Sequence, residues 1–136
     1  MPIIKEDYVS FETAKLLKEK GFDWECEYFY DWYEDDDEYI ICSIGGSCNK
    51  EDYPSEYSMP TLQMTCKWLR EVHKIYIDID IRIILEQWAG YNVTIYKTNI
   101  DNCLLGKFIS LKGLKDNTSY EEACEVAIKY CIENLI

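Results

Sequence analysis

Residues 75–83, IYIDIDIRI, place isoleucine at every second position and fill the gaps with Tyr76, Asp78, Asp80 and Arg82. Successive side chains of an extended strand point to opposite sides, so this alternation specifies a strand with one apolar and one polar face. A sheet covered by helices on one side needs such strands. Ile75, Ile77, Ile79, Ile81 and Ile83 are therefore expected to face helices. Asp78, Asp80 and Arg82 should stand about 7 Å apart along the open face, with Arg82 in reach of Asp80 or a cross-strand neighbour. The same row has a chemical reading. Two carboxylates on one strand face suit Mg²⁺ or Mn²⁺, which would make the chain a metal-dependent phosphoesterase or nuclease using Asp78 and Asp80. No third ligand or catalytic base accompanies them in the sequence.

The flanking segments supply the helices. SFETAKLLKEKG (10–21) has a capping serine, Ser10, an apolar face through Phe11, Ala14 and Leu17, and a closing glycine, Gly21. PTLQMTCKWLREVH (60–73) repeats apolar residues at Leu62, Cys66, Leu69 and Val72, with Pro60 suited to a first turn. SYEEACEVAIKYCIENLI (119–136) opens with the capping box Ser119 and Glu122 and carries one face of Tyr120, Ala123, Cys124, Ala127, Ile128, Cys131 and Leu135. ECEYFYDWY (25–33) and EYIICSI (38–44) flank an acidic turn and read as a hairpin. Residues 45–59 read as a long loop. After QWAG, YNVTIYKT (91–98) pairs back on the isoleucine strand, and KFISL (107–111) adds a short strand. The order α-β-β-α-β-β-(β)-α predicts an α+β fold, an antiparallel sheet of four to five strands with helices on one face, in a single domain over 1–136.

Seven cysteines are an odd count, without CxxC spacing, and the chain has one histidine. They read as reduced thiols, with Cys124 and Cys131 as small apolar core residues. Cys48, in the loop, is a candidate exposed nucleophile that lacks an evident partner. His73 sits at a helix end, where a cationic imidazole is favoured, and could serve as a general base. Nucleophile-elbow, P-loop, dinucleotide and HExxH signatures are all missing. The N-terminal MPIIKEDYVS lacks the apolar core of a signal peptide and no apolar run approaches membrane-span length, so a cytoplasmic protein without membrane contact or cofactor is expected.

Charge separates the two halves. The net charge is −12, and residues 1–58 hold 16 acids against 5 lysines, whereas residues 59–136 hold 10 acids against 9 basic residues. Phosphate binding rests on basic residues that displace counterions, so direct nucleic-acid binding is not expected and a protein partner with a basic surface is. A homo-oligomer is compatible with the sequence. The contact surface is expected in WECEYFYDWYEDDDEY (24–39), where seven aromatics mix with eight acids. Cys26, Tyr28, Tyr30 and Trp32 share one strand face and read as core. Phe29 and Tyr33 then share the other face with Glu25, Glu27 and Asp31, beside Asp35, Asp36 and Asp37 in the turn, as aromatic anchors in an acidic field. A solvated edge that keeps strands unpaired has the same composition. Acidic rows of this kind can imitate DNA phosphates.

MPTLQMTCKWLREVH and SYEEACEVAIKYCIENLI resemble segments of small uncharacterised proteins carried by prophages and mobile elements of gut anaerobic bacteria. The resemblance covers mostly the second half and involves core helices, so it transfers no functional residue. It implies a bacterial or phage-infected cytosolic setting and a non-enzymatic accessory role in binding host or phage proteins, for example as an inhibitor.

Overall fold

The element order is α1 (Phe11–Glu19), β1 (Tyr28–Tyr33), β2 (Glu38–Ser43), β3 (Glu56–Ser58), α2 (Leu62–His73), β4 (Ile75–Ile84), β5 (Gln87–Thr98), β6 (Leu104–Ile109) and α3 (Tyr120–Asn134). This computed structural model describes residues 6–43, 49–101, 103–109 and 118–136. The chain divides into two compact units, 1–64 and 65–136. Among the described residues no helix is long and apolar enough to cross a membrane.

The fold is α+β and its strands pair antiparallel, but they form two three-stranded sheets, β2-β1-β3 and β4-β5-β6, in place of one sheet of four to five. The sequence order also missed β3. Three residues between Pro54 and Pro60 are too few to show a period, yet they pair Phe29 with Ser58, Tyr30 with Tyr57 and Asp31 with Glu56. Each hairpin thus acquires its third strand from its own unit.

In the first unit Ser10 caps α1 by accepting from the Thr13 N–H at 3.2 Å. At the other end Phe22 N–H donates to Leu17 O and Gly21 N–H to Lys18 O, a Schellman closure with Gly21 at φ 85°. Phe11 then meets the aromatic face of the sheet. Its ring stacks on Trp32 and Tyr39 at 5.2 and 4.8 Å and meets Tyr30 and Tyr57 edge-on. Tyr30 and Trp32 are core-facing as expected, and the Tyr30 hydroxyl donates to Val9 O at 2.6 Å. Lys18 Nζ donates to the Tyr53 and Glu56 carbonyls and lies over the Tyr57 ring, which ties α1 to β3.

In the second unit α3 buries Ala123, Cys124, Ala127, Ile128, Cys131 and Ile132; of the expected stripe Tyr120 is exposed and Leu135 is half-buried, with Ile132 buried instead. The Ser119 hydroxyl caps α3 from the Glu122 N–H at 3.1 Å, and Lys97 Nζ donates to Leu135 O at the opposite end, where a cation is favourable. Cys66 on α2 meets Cys124 with 3.6 Å between the sulfurs, in the buried core. Val72, expected on the apolar face of α2, is exposed, and Trp68 and Thr65 are buried.

The isoleucine row departs from expectation. Ile75 is fully buried and Ile77 and Ile79 are half-buried, but Ile81 is 63 % exposed and Ile83 is exposed too. The reason is length: ten strand residues span about 33 Å, whereas fifteen helical residues span about 22 Å. Tyr120, the first residue of α3, contacts Tyr91, whose cross-strand partner is Ile81. Beyond that level the hairpin continues without helical cover from α3.

Candidate protein-binding surface

The β1–β2 hairpin closes through residues 34–37, with Asp37 N–H donating to Glu34 O and Asp37 at φ 50°. Aspartate tolerates this left-handed region better than most residues, which lets a turn without glycine close while carrying a run of carboxylates. Asp35, Asp36 and Asp37 are exposed, as are Glu25 and Glu27 just before β1.

Asp31 and Tyr33 occupy the expected sheet face, opposite Ile40 and Glu38. Asp31 is half-buried, accepts from the Ser55 hydroxyl at 3.0 Å, and hydrogen-bonds to Tyr33, which holds the Tyr33 phenol above its ordinary pKa. Cys42, on the same face, has its thiol pushed up by burial and by the Asp31 and Glu56 carboxylates. Phe29 corrects the sequence reading. It is 5 % exposed and belongs to the core, so it is no surface anchor. Period-two alternation put it on the outer face, and it does lie opposite Cys42 and Ser58, but that end of the face is covered, with Ser58 fully buried.

The anchors that sequence reasoning missed are on β2. Tyr39, Ile40 and Ile41 are, with Tyr33, 42–55 % exposed. Among the described residues β2 is an edge strand, and its side chains alternate between the Asp31 face, with Ile40, and the opposite face, with Tyr39 and Ile41. An apolar YII run inside a strand ordinarily signals burial, and nothing local marks it as an edge. The structure therefore brings Tyr33 and Ile40 together on the Asp31 face, beside the carboxylates of residues 34–38, and leaves Ile41 and the outer part of Tyr39 on the opposite face, where Tyr39 stacks on Phe11.

The other sequence candidates do not converge. Asp78 and Asp80 are exposed and stand opposite Thr94 and Asn92, and among the described residues no three His, Cys, Asp or Glu side chains are grouped to hold a metal. Arg82 has a structural task. Its Nε donates at 3.0 Å to Ala89 O, in a β-bulge where Ala89 and Gly90, the latter at φ 101°, together stand opposite Arg82, one residue more on β5 than on β4. Cys48 lies outside the described residues.

His73 is not poised as a cation. Its ring packs edge-on against Trp68 at 4.5 Å, Nε2 is buried without a hydrogen-bond partner, and burial, then the Lys97 charge, lowers its pKa. The folded state thus binds this proton more weakly than the unfolded chain does. Its contribution to stability should be complete above the ordinary pKa of about 6.5 and be lost as pH falls through that value towards the depressed one. Melting temperatures between pH 8 and pH 5 measure this: the wild type should lose more stability than His73→Phe below about pH 6.5. Parallel curves would show that the imidazole titrates as in the unfolded chain.

Comparison with known proteins gives no match, neither to a family model nor to a curated protein or a solved structure. Function has to be argued from surfaces.

Proposed function

We propose that this chain works by binding a protein with a basic surface, through the β1–β2 hairpin, and not by catalysing a reaction. The observation that carries this reading is the exposure of Tyr33 and Ile40 together, on the sheet face that also holds Asp31, next to the acidic turn. Aromatic and aliphatic anchors inside a charged rim are the usual anatomy of a protein interface. The two parts have different tasks. The carboxylates of residues 34–38 attract a basic partner over a Debye length and orient it, and the apolar side chains hold it once water is excluded. A protein that normally binds nucleic acid offers the complementary surface, with these carboxylates standing in for phosphates. Such a role fits an accessory protein of a phage or mobile element.

A pull-down from lysate of the source cells, with the intact chain as bait and Ile40→Asp/Ile41→Asp as paired control, tests the reading. The wild type should retain a near-stoichiometric basic protein at low salt. That protein should be lost at high salt and on the double variant, with a retained cooperative melting transition as the check that the variant is folded. The same proteins on both baits would refute the hairpin as the contact surface.

A further inference from the structure

The far end of the β4–β5 hairpin is apolar and uncovered. Ile81, Ile83, Ile84, Leu85 and Trp88 are each 51–92 % exposed, and the turn that joins the strands, Leu85-Glu86, has both residues at positive φ (51° and 63°). Among the described residues β4 is an edge strand of its sheet. The bulge of this hairpin places its extra residue on β5, so the outer edge of β4 stays regular. A long, regular, apolar edge strand is a template for pairing, and proteins that avoid pairing usually interrupt it.

We propose that β4 pairs with β4 of a second copy of this chain, antiparallel about a two-fold axis at Ile81, joining two three-stranded sheets into one of six. The order of residues along β4 selects this register. With Ile81 opposite itself, Ile79 faces Ile83 of the other copy on the apolar side, and Asp80 faces Arg82 on the polar side, twice by symmetry. A slip of two residues sets Asp80 against Asp80 or Arg82 against Arg82. A slip of one turns the isoleucine face of one copy to the polar face of the other. The charges on this edge therefore select one alignment where edge charges commonly block all of them. Arg82 already donates to Ala89 O through Nε, and a guanidinium carries five donors, so both contacts are compatible.

Register and charge favour a second copy as occupant. Residues Ile79 to Ile83 are self-complementary about Ile81, which a second copy of the chain satisfies at every position. Residues 65–136 carry 10 acids against 9 basic residues, so copies meeting through β4 add little charge repulsion there. The β2 edge, by contrast, would bring Glu38 and the acidic turn against their own copies. This inference is independent of the binding role proposed for the first unit.

Sedimentation equilibrium of the intact chain up to about 100 μM tests it, since a small interface should hold copies together in the micromolar range. The wild type should approach twice the chain mass of 16.1 kDa. Asp80→Lys, which opposes like charges at both symmetric positions, should weaken the dimer about ten-fold or more, and Asp80→Lys/Arg82→Glu should restore it. Because Arg82→Glu also removes the bulge contact, Ile81→Cys provides a second measurement. Under mild oxidation the peptide bearing position 81 should be recovered joined to itself, and position 78 in Asp78→Cys should not. A single-chain mass over the whole range, or a dimer indifferent to Asp80→Lys that does not cross-link through position 81, would overturn the proposal.

Discussion

Trp68→Ala is expected to lower the free energy of unfolding by about 4 kcal/mol, within the range for truncating a buried tryptophan. Trp68 is 2 % exposed, and its neighbours on α2, Leu69 and Cys66, are buried as well. Alanine removes the apolar area taken from water, and it also removes the contact atoms that line the vacated space. The His73 imidazole, packed edge-on against the indole, loses its partner at the same time. Urea titration followed by circular dichroism reads the change as a lower midpoint at unchanged slope. Since small domains hold roughly 5–15 kcal/mol in total, the variant should lie close to the edge of folding. Trp68→Phe, which keeps most of the ring, should lose about 1–2 kcal/mol. A loss below about 1 kcal/mol for Trp68→Ala would show that the indole does not hold the α2 core together.

The second large effect belongs to Tyr30, where two contributions can be separated. Its ring is 5 % exposed, edge-on to Phe11 at 5.5 Å and to Tyr39 at 4.9 Å, and its hydroxyl donates to the Val9 carbonyl in a buried setting. Tyr30→Phe leaves the ring and deprives Val9 O of this donor, so about 1–2 kcal/mol should be lost. Tyr30→Ala removes the ring as well and should cost about 4 kcal/mol. The difference measures the packing of Tyr30 in the aromatic cluster that supports the β1–β2 hairpin. Equal losses for the two variants in a urea titration would assign the whole effect to the hydrogen bond.

Several features of this chain follow from neighbours within about four positions, and these were legible in the sequence. Ser10 and Ser119 cap the helices expected of them, Gly21 closes α1 in a conformation that needs a glycine, and Ala123, Cys124, Ala127, Ile128 and Cys131 share the buried stripe of α3. The hairpin of β4 and β5 was legible in kind but not in its turn. The second strand was expected to begin after QWAG, at Tyr91, yet the chain turns at Leu85-Glu86, β5 starts at Gln87, and Gly90 serves the bulge that Arg82 closes. A glycine marks a backbone irregularity without saying which kind. Of the expected binding residues, Tyr33 and the acidic turn are on the surface, Asp31 is held between Ser55 and Tyr33, and Phe29 is buried.

By itself the sequence determined the α+β class, the antiparallel pairing, the three helices and the concentration of negative charge in residues 1–58. These depend on periodicity, capping and composition, which are carried by local residue order. Only the tertiary structure decided that the strands form two sheets, that Ile40 and Ile41 of β2 are half exposed while Tyr39 stacks on Phe11, and that the isoleucine row is buried at Ile75 and open at Ile81. Alternation assigns side chains to a common face. Whether that face is dry depends on which element lies over it and how far that element reaches, and here α3 is shorter than the strand it covers.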